Sequence, residues 1–288
     1  MSEKRNILIQ LDPDPQPSTF DRVVAVDAGA DELFAYGNVT EDQVESLVHG
    51  AMFTRGPKDL KHTAIFVGGS NVAAGEAMMK RVTKTFFGPL SVSVMLDSNG
   101  ANTTAAAAVL AAGDHVELSS AQALVLGGTG PVGQRAARLL AREGATVRLG
   151  SRSLDRASAA ADAINSAVEG DRVTGWAPSD ESSLSDALEG VSVIIAAGAA
   201  GVCLLPADVR TASSALKVAI DLNAVPPVGI EGVEVTHKAQ ELDGVVTYGA
   251  IGVGGNKMKI HKRAIASLFE SNDQVLDAEQ VYAIGKSL

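Results

Sequence analysis

The chain is poor in cysteine, in aromatic residues and in positive charge. Its 288 residues include one cysteine, Cys203, so no internal disulfide can form, which fits a reducing cytoplasm. There are 24 Lys and Arg residues against 34 Asp and Glu, a net charge of −10. That balance disfavours general nucleic-acid binding, because phosphate backbones need clustered basic side chains. We also interpret Cys203, in GVCLLP, as a small core residue rather than a nucleophile.

Long apolar runs are absent as well. No stretch approaches the roughly 18 apolar residues of a membrane span. The first residues, MSEKRNILIQLDPDPQP, lack the apolar core of a signal peptide. We therefore expect a cytoplasmic protein that does not bind membranes, and we predict no metal site.

Glycine, in contrast, is abundant, with 29 residues, and one glycine-rich stretch is the most informative in the chain. Residues 123–133 read ALVLGGTGPVG, a short apolar strand followed by G-x-G-x-x-G, and helix-forming QRAARLLAREG comes next. In this pattern one glycine makes a tight turn, one lets a pyrophosphate approach the backbone, and one lets the helix pack closely on the strand. The start of the helix also attracts the anion. The predicted dinucleotide-binding residues here are Gly128, Thr129, Gly130, Pro131, Val132 and Gly133.

The next predicted strand, 145–150, indicates which dinucleotide is bound. An NAD site usually carries Asp or Glu at this strand end, about 20 residues after the glycines. Here Ser151 and Arg152 follow the strand instead, and they suit the 2′-phosphate of NADP by charge and fork geometry. Asp155 is near enough to keep NAD open as an alternative, although it also suits the first turn of the next helix.

Polar and glycine-rich loops follow several other predicted strands, where open α/β sheets place their ligands. Ala197 and Gly198, after the strand VIIAA, are expected to lie along the cofactor. Asn223, in DLNAVPP, is expected to reach its ribose or nicotinamide. Two further loops, 96–104 and 249–256, also follow predicted strands, and the four loops together favour one shared cleft.

Alternating strands and helices predict an α/β fold of two domains with parallel sheets. An N-terminal substrate domain is expected at 1–116, with strands at 7–11 and 63–67 among others. A Rossmann-type NADP-binding domain is expected at 117–256. The last stretch, 257–288, is interpreted as an amphipathic C-terminal helix that packs back on the first domain. Near its start, Lys257 and His261 are spaced i and i+4, which puts them on one helix face as a ligand-contacting pair.

The chain as a whole resembles the NADP-dependent methylene-tetrahydromethanopterin dehydrogenases of methylotrophic bacteria. The resemblance covers essentially the entire sequence. It is carried by PSTFD (17–21), YGNVT (36–40), TAIFVGG (63–69), FFGP (86–89), MLDSNGANTTAAA (95–107), GGTGPVG (127–133), SRSLDRA (151–157), DLNAVPPVGI (221–230), GAIGVGG (249–255) and KMKIH (257–261).

This resemblance implies a substrate site and an assembly. Phe20 matches an aromatic that lies against the pterin, and Thr104 matches a threonine that contacts the substrate. Lys257 and His261 match a lysine and a histidine of the active site, and Asp21 is a neighbouring carboxylate. Arg152 matches the NADP-type arginine. The resemblance also implies a fold similar to that of methylene-tetrahydrofolate dehydrogenases and a homotrimer.

The implied reaction transfers a hydride from the methylene carbon of methylene-tetrahydromethanopterin to NADP, in one-carbon metabolism. Two alternatives stay open. One is a cyclohydrolase, or a bifunctional dehydrogenase-cyclohydrolase, in which Lys257 and His261 activate water. The other is a non-catalytic protein that senses NADP. The sequence does not decide between tetrahydromethanopterin and tetrahydrofolate, since both carry the same reacting ring.

Overall fold

The computed structural model describes residues 4–178 and 181–288, in which strands and helices alternate. Up to residue 113 the elements are β1 (Ile7–Leu11), α1 (Thr19–Asp27), β2 (Glu32–Tyr36), α2 (Glu41–Phe53), β3 (Thr63–Val67), α3 (Val72–Thr85), β4 (Ser93–Leu96) and α4 (Ala101–Gly113). The later elements are β5 (Gln122–Leu126), α5 (Pro131–Arg142), β6 (Thr146–Gly150), α6 (Leu154–Val168), β7 (Val173–Trp176), α7 (Glu181–Ala187), β8 (Val193–Ala196), α8 (Ala207–Ala212), β9 (Val218–Asp221), β10 (Gln240–Leu242), β11 (Val245–Tyr248), α9 (Ala250–Ser267), β12 (Val275–Leu276) and α10 (Ala278–Lys286).

The chain forms two compact units. The first comprises Met1–Thr103 and Met258–Leu288, and the second comprises Thr104–Lys257. The chain passes from one unit to the other inside α4 and again inside α9.

The first unit is built on a five-stranded parallel sheet of order β12-β4-β3-β1-β2. On one face, a core cluster packs strand residues against α2 and α3, with Leu11, Val48, Met52, Ile65 and Val82 fully buried. The strand order reverses between β1 and β3, and such a reversal leaves a crevice outside the carboxyl ends of the two strands. The loops after β1 and β3 therefore occupy the part of this unit where a ligand is expected.

The second unit has a seven-stranded sheet of order β10-β11-β9-β8-β5-β6-β7. All neighbouring strands are parallel except β10 and β11. From β7 to β11 the order is that of a dinucleotide-binding sheet, with its reversal between β5 and β8. A buried cluster that includes Leu124, Val191, Ile194, Leu205 and Ala219 forms a core of this unit. The predicted α/β class with parallel sheets is confirmed.

The end of the chain differs from the prediction. The stretch 257–288 is not one helix that starts at Lys257: α9 already begins at Ala250, and β12 and α10 follow it. The segment GAIGVGGN runs from just before α9 into the helix, and two of its glycines allow close packing. A Cβ on Gly249 would lie 2.1 Å from the Glu234 carbonyl oxygen, and one on Gly252 would lie 1.8 Å from that of His237. The backbone N–H of Ile251 donates to Val235 O at 2.8 Å, so the preceding segment accepts a hydrogen bond from the first turn of the helix.

Two smaller details, the strand β12 and the position of Cys203, also differ from the prediction. The two-residue strand β12 joins the first sheet through β4, in register Val275 to Val94, a pairing that no local pattern encodes. Cys203 was expected in the core but is exposed. Within the described ranges, no helix is both long and apolar enough to cross a membrane.

Candidate functional site

The glycine loop (residues 127–133) joins β5 to α5 at the reversal of the second sheet. Gly130 is the N-cap of α5 and Pro131 its first residue, where the missing N–H of proline costs nothing. As a glycine, the N-cap has no side chain with which to cap this helix start. The backbone N–H groups of Val132 and Gly133 belong to the first turn, which suits them to an anion.

Two glycines of the motif are required by close packing. A Cβ on Gly133 would lie 2.7 Å from the Gly128 Cα, so only glycine lets α5 approach the loop this closely. A Cβ on Gly128 would lie 2.6 Å from the Leu149 Cδ1 and 2.9 Å from the Val125 carbonyl oxygen. Both residues therefore hold helix and strand together, as the motif predicts.

Gly130 is different, because a Cβ added there would not be crowded by the described residues. The nearest atoms to an added Cβ would be Gly127 O at 3.4 Å and Ala197 O at 3.7 Å, and both distances are ordinary contacts. Gly130 therefore leaves the backbone without a side chain at the position where the motif places a pyrophosphate, as dinucleotide binding requires.

Gly127 was not included in the predicted site, yet it is equally constrained. Its φ is +67°, and a Cβ there would lie 2.4 Å from the Gly198 Cα. The Ala197 N–H also donates to Leu126 O at 2.8 Å. The predicted residues Ala197 and Gly198 thus lie directly against the glycine loop, and the double glycine at 127–128 was the signal for this approach.

The end of β6 brings a second group of predicted residues to the same loop. The Thr129 hydroxyl donates to the Ser151 Oγ at 3.4 Å. Arg152 is exposed, whereas Ser153 is the N-cap of α6, where its Oγ accepts the Arg156 N–H at 3.4 Å. The Thr129 and Ser151 hydroxyls therefore meet beside the glycine loop, Arg152 follows Ser151 in the chain, and the Ser153 hydroxyl caps α6.

Asn223 is engaged by its own loop. Its side-chain Nδ2 donates to Pro227 O at 3.2 Å, and its Oδ1 accepts the Val225 N–H at 2.9 Å. The buried carboxylate of Asp221 holds the same loop through the N–H groups of Asn223 at 2.9 Å and Ile230 at 2.8 Å. Burial raises the pKa of Asp221, and these backbone hydrogen bonds oppose the rise. Asn223 shapes the strand exit, and its contact with a cofactor stays a prediction.

In the first unit, the carboxyl ends of three strands lie in register. Leu11 pairs with Val67 and Val67 with Leu96, so the following Asp12, Gly68 and Asp97 share one sheet edge. Sequence analysis did not single out either carboxylate, although each follows an apolar strand.

Asp12 organises the loop that precedes α1. Its carboxylate accepts the Asp14 N–H at 2.9 Å and the Ser18 N–H at 3.3 Å. Burial raises the pKa of Asp12 despite these bonds. Ser18 then caps α1 by accepting the Asp21 N–H at 3.3 Å. The candidate residues Phe20 and Asp21 consequently lie in the first turn of α1, at the expected edge of the sheet.

Phe20 is the exposed end of a ring column formed by Phe66, His261 and Phe20. The His261 and Phe66 rings are stacked, with centroids 5.7 Å apart and planes at 25°. The Phe20 ring also lies near His261, with centroids 6.3 Å apart and planes tilted by 35°. Phe20 is 52% exposed, whereas His261 has no exposed surface. The buried His261 ring therefore lies next to the exposed Phe20 ring, and Phe66, a strand residue, was missed because only the fold brings it here.

The other two candidate residues lie on helices. Thr104 is half-buried on α4, but its neighbour Thr103 makes the hydrogen bond to Asp97, at 2.6 Å from Thr103 Oγ1 to Asp97 Oδ2. Lys257 is half-buried in the middle of α9, one turn before His261. The helix spacing predicted for Lys257 and His261 holds, although neither lies at a helix start.

Comparisons with known proteins agree with this layout. The family model described as methylene-tetrahydromethanopterin dehydrogenase, N-terminal, matches residues 19–99. The chain is 48% identical over 292 residues to "Bifunctional protein MdtA" of Methylorubrum extorquens, covering 100% of both chains. It is 34% identical over 293 residues to "NAD(P)-dependent methylenetetrahydromethanopterin dehydrogenase" of the same organism, covering 97% of both. Among solved structures, quinate dehydrogenase from Corynebacterium glutamicum in complex with NAD has a TM-score of 0.52 at 15% identity, over 99% of this chain and 100% of that one, a likeness of fold alone.

Proposed function

The chain belongs to the methylene-tetrahydromethanopterin dehydrogenase family, and from that premise we propose that it transfers a hydride from methylene-tetrahydromethanopterin to NADP. The observation that carries the proposal is the 34% identity, over 97% of the chain, to a relative named for this NAD(P)-dependent reaction. The bare backbone at Gly130 supports it, because a protein of this family needs room for a dinucleotide there.

The second unit supplies the cofactor site. The glycine loop binds the pyrophosphate through backbone N–H groups at the start of α5. Ala197 and Gly198 line the cofactor site beside the loop. Arg152, with the Thr129 and Ser151 hydroxyls, binds the 2′-phosphate, since a guanidinium and two hydroxyls provide a charge-assisted donor set. When bound, NADP supplies the hydride acceptor.

The pterin is bound by Phe20, Thr104 and Lys257. The exposed face of Phe20 offers a flat apolar surface for the pterin ring. Lys257 orients polar pterin atoms, because a cation placed directly against the carbon that loses hydride would oppose the charge that develops there. Asp21 offsets that positive charge.

No protein base is required for this reaction. The methenyl product is a cation that its two flanking nitrogens stabilise, so the protein acts mainly by holding donor and acceptor carbons about 3–3.5 Å apart. The full burial of His261 supports this assignment over the cyclohydrolase alternative, in which His261 and Lys257 activate a water molecule.

A steady-state assay tests the proposal. Methylene-tetrahydromethanopterin and methylene-tetrahydrofolate are each supplied with NADP and with NAD, and reduced nicotinamide is followed by absorbance. We expect reduction with NADP and accumulation of the methenyl product. No reduction with either pterin would refute the dehydrogenase. Disappearance of added methenyl pterin without any cofactor would establish the cyclohydrolase instead.

We further propose a cytoplasmic enzyme that works as a homotrimer, as the family resemblance implies. Light scattering coupled to size-exclusion chromatography tests the assembly. A mass of one or two chains of 29.5 kDa would contradict it.

A further inference from the structure

A buried carboxylate lies beside the ring column of the first unit. Asp97 is almost fully buried at the end of β4. Its Oδ2 lies 4.0 Å from the Nδ1 of His261, the middle ring of the column. In a buried setting a charge at this distance acts on an imidazole far more strongly than it would in water.

Asp97 is itself held rigidly. Its Oδ1 accepts the backbone N–H of Asn102 at 2.9 Å and of Thr103 at 3.0 Å. Its Oδ2 accepts the Thr103 hydroxyl at 2.6 Å. Two oxygens thus receive three donors at the start of α4, where the helix dipole also favours a negative charge. The carboxylate has one fixed orientation, with Oδ2 on the side of His261.

We propose that Asp97 is a positioning residue for the pterin, acting through His261 on Phe20. The fixed carboxylate orients the buried imidazole, and the imidazole holds the Phe20 ring, which has half of its surface exposed. An unsupported ring at an exposed helix start has to be ordered when a ligand binds, and that ordering weakens affinity. A ring that is already held avoids this loss. The proposal relies on the proposed function for the identity of the flat ligand.

A purely structural role for Asp97 makes a different prediction. Capping of α4 by Oδ1 alone would change the stability of the protein without linking Asp97 to Phe20. The two roles therefore differ in whether Asp97 and Phe20 act together on pterin binding, which a double-mutant cycle measures.

The cycle compares Asp97→Asn, Phe20→Ala and the double variant by kcat and KM for the methylene pterin. We expect Asp97→Asn to raise KM for the pterin by about three- to tenfold, with a smaller change in kcat, since Asp97 and Phe20 share His261 as a partner and are expected to couple through it. In the Phe20→Ala background the same change should add little. Additive effects of the two substitutions would overturn the proposal.

Two sets of variants provide controls. Asp221→Asn is matched, because Asp221 is also buried at a strand end and also accepts backbone N–H groups, but it lies in the second unit. Its effect on pterin KM should be additive with that of Phe20→Ala, and coupling as large as that of Asp97 would contradict a specific route. Thr103→Val should raise the pterin KM in part, as Asp97→Asn does. Thr103→Ser keeps the hydroxyl, so its pterin KM should be close to that of the wild type.

A measurement without ligand separates this proposal from the proposed function. Nuclear Overhauser contacts between the Phe20 and His261 rings are recorded in the free protein, in wild type and in Asp97→Asn. We expect these contacts in wild type and their weakening in the variant, with near-ultraviolet circular dichroism showing that the fold is kept. Unchanged ring contacts in Asp97→Asn would overturn the positioning role, whether or not the wild type oxidises a methylene pterin.

Discussion

The glycine loop of the second unit and the ring column of the first are built in opposite ways. The loop takes its residues from one stretch, 127–133, and each packed glycine there meets backbone or strand atoms that exclude a side chain. The ring column takes Phe20 from α1, Phe66 from β3 and His261 from α9, three elements that only the tertiary fold brings together.

This difference explains what each site reveals before its structure is known. A local motif fixes which atoms meet, because neighbouring residues have few conformations. An assembled site depends on sheet order and helix position, which no single segment encodes. The motif accordingly singled out residues 128–133 of the loop, while Phe20 was identified through family resemblance, His261 through its helix spacing and the resemblance, and Phe66 and Asp97 were missed.

The largest expected effect separates two roles inside the glycine loop. Gly130→Val should abolish NADP binding while the protein stays folded, because the side chain occupies the path of the pyrophosphate and meets protein atoms no closer than 3.4 Å at its Cβ. Gly133→Val should destabilise the protein itself, since its Cβ would lie 2.7 Å from backbone. NADP titration and thermal unfolding of both variants distinguish them. Undiminished NADP affinity in Gly130→Val would place the phosphates elsewhere.

Substitution of Lys257 tests whether α9 contributes to the proposed pterin site. Lys257→Ala should lower kcat/KM for the methylene pterin by about tenfold to several hundredfold, because geometry controls hydride transfer, and it should leave NADP affinity near the wild-type value. Lys259→Ala is the control, an exposed lysine two residues along the same helix. Wild-type turnover by Lys257→Ala at subsaturating pterin would mean that the wrong helix has been assigned.

Arg152 tests the cofactor side of the comparison. Arg152→Ala should raise KM for NADP by about ten- to a hundredfold and leave KM for NAD nearly unchanged, because a charged contact to the 2′-phosphate is lost. The matched control is Arg172→Ala. Arg172 lies just before β7, and its guanidinium donates to Gly144 O. Equal losses for both nicotinamide cofactors would exclude a 2′-phosphate contact.

Much of the fold was predictable because its signals are local. The strands at 7–11 and 63–67 were predicted at their observed bounds. The start of α9 was wrong because glycine usually breaks helices, whereas Gly249 and Gly252 serve close packing against the backbone of 234–237. The strand β12 was missed because two residues carry no periodicity of their own.

The smallest expected effect compares the two units through a buried carboxylate in each, Asp12 and Asp221. Burial raises the pKa of both above the ordinary value of 3.8. The native protein then holds these protons more readily than the unfolded chain does. Its free energy of unfolding should therefore fall as pH rises from 3.8 through the raised pKa of each group.

Replacing each carboxylate isolates its share of that slope. Asp12→Asn and Asp221→Asn remove the titrating group, so the unfolding free energy of each variant should depend less steeply on pH than that of the wild type in this window. Urea unfolding at a series of pH values above 3.8 measures the difference in slope. Only the slopes are compared, because each Asn variant also loses hydrogen bonds to backbone N–H groups, which changes its stability at every pH. A wild-type stability that rises relative to a variant across the window would mean that the hydrogen bonds to that carboxylate outweigh its burial.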